Sequence, residues 1–228
     1  MSSFQRLISN VSWSVFGKIC TQVLLFGISV IVTRSLGKED LGLYAALLVI
    51  PNFVCLLNSM GIETLVNKHL PELNAIDASG NLGRCLLKRL LVFRLITAAI
   101  LCACLYLVFP YYIEFINKQE LFQYRIIILI YFLVLTTNSF LSTLFMTQLR
   151  YKLISITETV SVAVNLILLV LFVTMDLGII GVLYAYVFST AITILVYAWL
   201  SRPHFIGKAE TLDWREIKPL ALTSYGMS

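Results

Sequence analysis

The sequence predicts an all-α integral membrane protein: a six-transmembrane-helix bundle followed by the start of a seventh helix. Three observations predict it. Hydrophobic residues make up 59% of the 228 positions and charged residues only 13%, where a soluble domain carries about 25% charged residues. The apolar residues come in blocks of about 20, the length that crosses the hydrocarbon core. Those blocks lack the roughly ten-residue alternation of barrel strands. The net charge of +5 does not point to nucleic acid, because Lys and Arg in such a chain first set orientation.

The first span covers Val11–Thr33. The preceding "MSSFQRLISN" resembles the start of a signal peptide. The apolar run is too long for one, and no small-residue cleavage site follows. Ser14, Lys18, Thr21, Gln22, Ser29 and Thr33 fall within about 120° of arc at 100° per residue. Such a stripe either lines a hydrated cavity or packs against a neighbouring helix. Lys18 and Gln22 are long for tight packing. Lys18 lies roughly 12 Å into the span, where a charge costs about 2.5–3.5 kcal/mol on insertion scales. It can also snorkel to the headgroups.

The connector "RSLGKEDLGLY" follows. Gly37 suits a left-handed helix end. Arg34 sits near the C-terminal dipole of the first helix, and Glu39 and Asp40 near the N-terminus of the next. The second span, Leu41–Met60, ends in "NSMGIETLVNKHLPE". Gly61 allows a kink or a close helix contact, Glu63 and Asn67 close the span, and His69 beside Lys68 reads as interfacial.

The third span, Leu90–Phe109, carries Arg94 about four residues inside its start, within snorkelling reach or in a functional role. After the Pro110–Arg125 loop the fourth span, Ile126–Gln148, becomes polar in "TTNSFLSTLFMTQ". There Asn138 and Gln148 can hydrogen-bond across helices. The fifth span, Leu153–Thr174, sets Ser155, Glu158, Ser161 and Asn165 on one face. Glu158 can pair with Lys152 or Lys18, or take a proton. The sixth span is Gly178–Leu200.

Residues 1–200 thus form a six-helix lobe and residues 201–218 a linker. Residues 219–228 form the start of a seventh helix, with Pro219 in its first turn. A helix ending at Ser228 is too short to span, so the chain reads as a fragment or truncated. With the N-terminus cytoplasmic, eleven of the 17 Lys and Arg fall inside: Arg6, Lys68, Arg84, Lys88, Arg89, Arg150, Lys152, Arg202, Lys208, Arg215 and Lys218. Arg34, Lys38, Lys118 and Arg125 fall outside. That bias places both ends of the lobe in the cytoplasm.

Cys20, Cys55, Cys85, Cys102 and Cys104 lie in or beside apolar runs without a CxxC pair, so they read as small packing residues. No nucleotide loop, nucleophile elbow, HExxH or dinucleotide glycine pattern occurs. No metal spacing, cofactor or catalytic cluster is expected, and binding and translocation remain.

"RSLGKEDLGLYAAL", Arg34 to Leu47, resembles the first-to-second helix signature of the polysaccharide-type flippases of the multidrug/oligosaccharidyl-lipid/polysaccharide exporter superfamily. Arg34, Leu36, Gly37, Glu39, Gly42, Leu43 and Tyr44 match; Lys38 replaces a frequent proline. "SWSVFGKI" and "NSMGIETLVNKHLPE" are similar to the flanking family segments. The resemblance implies the N-terminal lobe of a two-lobe flippase with a central cavity. It implies the bacterial cytoplasmic (inner) membrane and a cargo of undecaprenyl-pyrophosphate-linked oligosaccharide for O-antigen or other cell-envelope polysaccharide. Membrane lipids, a coupling proton or sodium ion, and other polysaccharide-assembly proteins are the implied partners. Lys18 and Arg94 become candidates for the pyrophosphate, Gln22, Asn138 and Asn165 for the sugars, and Glu158 for an ion. A cation-coupled drug or metabolite exporter of the same superfamily is the first alternative, although cations outnumber acids inside the spans. A facilitator-type transporter would need a glycine-aspartate-arginine-glycine motif that only "GNLGR" remotely approaches. A membrane scaffold or enzyme subunit is the alternative from another class.

Overall fold

The computed structural model describes residues 3–59, 61–76, 80–148 and 150–205. The expected seventh helix and most of the linker lie outside the described residues. Seven α-helices and one short 3₁₀ helix account for almost all of them: α1 (Ser3–Ser35), α2 (Lys38–Ser59), α3 (Ile62–Ile76), α4 (Asn81–Ile116), the 3₁₀ helix Gln119–Tyr124, α5 (Arg125–Thr147), α6 (Tyr151–Thr174) and α7 (Gly178–Phe205). No strand occurs among the described residues. Among the described residues six stretches are long and apolar enough to cross a membrane. Each contains or nearly coincides with one expected span.

Two boundaries differ from expectation, each for a physical reason. The third span belongs to a 36-residue helix, Asn81–Ile116, which continues beyond the apolar block at both ends. "CLLKRLL" favours helix as much as the block does, so its charges mark a change of surroundings and leave the helix unbroken. The second span is not followed by a loop; α3 comes at once. Gly61, with φ of 82°, makes the break, a backbone state that glycine adopts without strain.

Gly37 is a correction. It is not among the left-handed glycines, which are Gly61, Gly80 and Gly178. Its carbonyl instead accepts the Leu41 N–H at 2.8 Å, so Gly37 opens α2. Glu39 and Asp40 fill the first turn of that helix, where their charge complements the dipole.

α1 packs along α6, α6 along α7, and α7 along α5; α5 in turn meets α2, α3 and α4. Two apolar cores lie at opposite ends. At the end where α1 finishes, Ile28 and Val32 of α1 and Leu36 just past its end join Leu43 and Leu47 of α2, Leu105 and Phe109 of α4, and Leu169 of α6. At the end where α1 begins, the core is built from α3, α4, α5, α6 and α7, with Val66, Leu86, Phe145, Ile154 and Tyr197 among its members. α1 leans chiefly on α6. In between, Tyr44, Tyr131 and Tyr186 tie α2, α5 and α7 together. Tyr131 and Tyr186 meet edge-on at 6.3 Å, and Tyr44 and Tyr186 both pack against the first core.

Candidate functional site

Gly17 and Thr21 of α1 form the seam with α6. A Cβ on Gly17 would lie 2.5 Å from the Ser155 Cβ, so only glycine permits this approach. Thr21 Oγ1 sits 3.2 Å from Thr159 Oγ1, and the Thr159 hydroxyl donates to the Gly17 carbonyl at 3.5 Å. Within the expected stripe, Thr21 is therefore a packing residue. Lys18, Gln22, Ser29 and Thr33, farther round the same helix, are exposed.

Glu158 of α6 is also exposed and lies close enough to Lys18 for their charges to interact. Opposite charges on adjacent helices offset part of what each costs in a membrane. The flank of α1 and α6 thus presents a cation, an acid and an amide on one open surface, with no apolar core closing over it. On the same face of α6, Ser161 accepts a hydrogen bond from Thr193 of α7 at 2.6 Å. Asn165 is buried, and its Oδ1 has no hydrogen-bond partner.

Arg94 lies elsewhere. It is 1% exposed and points into the bundle. One guanidinium nitrogen is 3.5 Å from Glu63 Oε1, and the guanidinium lies 5.9 Å from the Phe140 ring centroid. Glu63, in the first turn of α3, also accepts the Ser139 hydroxyl of α5. Just before the break, Asn58 Oδ1 accepts the Thr97 hydroxyl of α4 at 2.7 Å. Polar groups of α4 and α5 thus hold both sides of the Gly61 break. Arg94 Nε and one terminal nitrogen, together with Asn58 Nδ2, remain buried without a partner. Asn138, next to Ser139, is half-buried with an unpartnered Oδ1.

Sequence reasoning missed this cluster. It named Arg94 and Glu63 separately and did not pair them. The available signal was that an acid and a base in adjacent spans gain most by meeting each other. His69 also turns inward: it is buried and pairs with Glu72 through Nδ1 at 2.8 Å. Among the described residues no group of His, Cys, Asp and Glu side chains forms a metal site.

A sequence profile described as "Polysaccharide biosynthesis protein" matches residues 7–227, nearly the whole chain. The chain belongs to this family. Membership agrees with the resemblance carried by Arg34 to Leu47. No match is found among the curated proteins. Among solved structures, this polysaccharide biosynthesis family chain is similar to a Vibrio cholerae MATE transporter, VcmN, crystallised as a point mutant. The TM-score is 0.73 at 19% identity, over 97% of this chain and 51% of that one. The fold is thus shared, and the chain spans about half the length of that transporter.

Proposed function

We propose that this chain forms one lobe of a flippase that moves undecaprenyl-pyrophosphate-linked oligosaccharide across the bacterial cytoplasmic membrane, with its N-terminus on the cytoplasmic side. The observation that carries the proposal is the exposed polar flank of α1 beside its seam with α6. A helix facing lipid alone gains nothing from exposing Lys18, Gln22 and Ser29. A helix facing a wet cavity that admits a charged headgroup does.

In this reading Lys18 neutralises the pyrophosphate and Gln22 hydrogen-bonds the sugars. Glu158, on the neighbouring helix, limits how tightly the anion is held. Asn138 and Asn165 each offer a buried oxygen able to accept a sugar hydroxyl or a water. Arg94 serves indirectly, by fixing the bend between α2 and α3. A proton or sodium ion, and other polysaccharide-assembly proteins, complete the proposal as partners.

The second reading is a cation-coupled exporter of small compounds. Glu158, an exposed acid inside a span, favours it. The two differ in which residue is essential. With the whole protein in cells, Lys18→Gln is expected to abolish surface polysaccharide while membrane levels of the protein stay normal. Normal polysaccharide with Lys18→Gln, together with lost drug efflux in Glu158→Gln, would favour the second reading.

A further inference from the structure

Outside the α1 flank, α4 carries an amphiphile-shaped surface. Lys88 and Arg89 lie one to two turns before Val92, Phe93 and Ile96, and these five residues line a groove of about 350 Å³. The three apolar residues are exposed, while the opposite face of α4, with Leu86, Leu90, Arg94 and Ala98, is buried. The groove runs on past Phe93, which also lines a second cavity of about 340 Å³ with Leu57, Ile100 and Leu101, whose polar wall is Asn58 and Thr97. From Lys88 to Leu101 is roughly 20 Å at 1.5 Å per residue, close to one leaflet of a core about 30 Å thick plus part of its headgroup layer.

Charge complements this shape. From Asn81 to Ile113, α4 holds four basic residues and no acid. Arg84, one turn earlier, donates to Asn81 Oδ1 at 3.1 Å and adds to the positive field at this end.

The geometry points to a binding site for one anionic phospholipid, its phosphate held by Lys88 and Arg89 and an acyl chain laid along Val92, Phe93 and Ile96. The site is separate from the α1 flank and does not depend on what the flank carries. Basic residues at a membrane surface strengthen binding of an anionic headgroup by roughly 5-fold each.

The test uses the whole protein in detergent and counts retained lipids by native mass spectrometry with phosphatidylglycerol or phosphatidylcholine. The intact protein is expected to retain one phosphatidylglycerol at least about 10-fold better than phosphatidylcholine. Lys88→Gln with Arg89→Gln removes that preference, while Lys152→Gln, at the same end of the bundle, keeps it. If the double variant does not fold, Val92→Trp with Ile96→Trp fills the groove, leaves both cations in place, and is expected to cause the same loss. No preference in the intact protein, or equal loss with Lys152→Gln, overturns the proposal. So does displacement of phosphatidylglycerol by an equimolar prenyl diphosphate, which would give the groove to a cargo-like lipid. Lipid retention is read without transport, so its failure is distinct from failure of the flippase reading.

Discussion

Removing both members of the Arg94–Glu63 pair is expected to cost less than the sum of the two single removals. At 3.5 Å two unit charges attract by about 5 kcal/mol with an effective dielectric constant of about 20. Glu63 is about a third exposed, at 32%, so solvent screens part of this. Breaking a buried pair by truncating one partner costs about 3–5 kcal/mol, because the other charge is left unpaired. Arg94→Met leaves Glu63 with the Ser139 hydroxyl alone, and a loss of about 2–3 kcal/mol is expected after screening. Glu63→Gln leaves a 1% exposed guanidinium without a counter-charge, and the larger loss, about 3–4 kcal/mol, falls there. The double variant is expected to lose less than the sum by roughly 1–3 kcal/mol, the coupling usual for residues in contact. The assay is reversible unfolding of the purified protein in mixed micelles across a denaturing-detergent titration, on all four corners of the cycle. Additive losses, or single variants within about 0.5 kcal/mol of the parent, would refute the pairing.

Three further outcomes follow from local geometry. Gly17→Val should part α1 from α6, since the first added carbon already meets Ser155 at 2.5 Å. A loss of about 1–3 kcal/mol is expected for overpacking, and a cross-link between cysteines placed at Thr21 and Thr159 should slow. Gly61→Ala forces a side chain into φ of 82° and is expected to cost about 1–2 kcal/mol, read in the same titration, whereas Gly42→Ala in regular helix is expected to stabilise slightly. Asn165→Leu removes a buried unpartnered oxygen. It should leave stability unchanged or higher while weakening transport if that oxygen meets cargo or its water.

The spans were legible in the sequence because a run of about 20 apolar residues has few other uses. The α1 stripe was legible for a similar reason: long polar side chains at helical spacing need a wet or polar neighbour. Its division was not, because Thr21 and Gln22 are adjacent in sequence, and only the position of α6 decides which one packs. Arg94 shows the same limit. Depth in the span is readable from sequence, but direction is not, and its partner Glu63 lies beyond a glycine whose left-handed backbone sets α3 at its angle. Gly37 was misplaced because a glycine between two helices suits the end of one or the start of the next, and the hydrogen bond from Leu41 selects the start.

The most direct test of the central claim is transport by the whole protein in sealed vesicles. A fluorescent undecaprenyl-pyrophosphate oligosaccharide is loaded on one leaflet, and its appearance on the other is followed by quenching. The account predicts cargo transfer by the parent protein. It predicts at least about 10-fold slower transfer by Lys18→Gln, for loss of a charge-assisted contact of about 1.5–3 kcal/mol, and near-normal transfer by Lys152→Gln. Equal rates for the parent and Lys18→Gln, or no transfer by a folded parent, would contradict it.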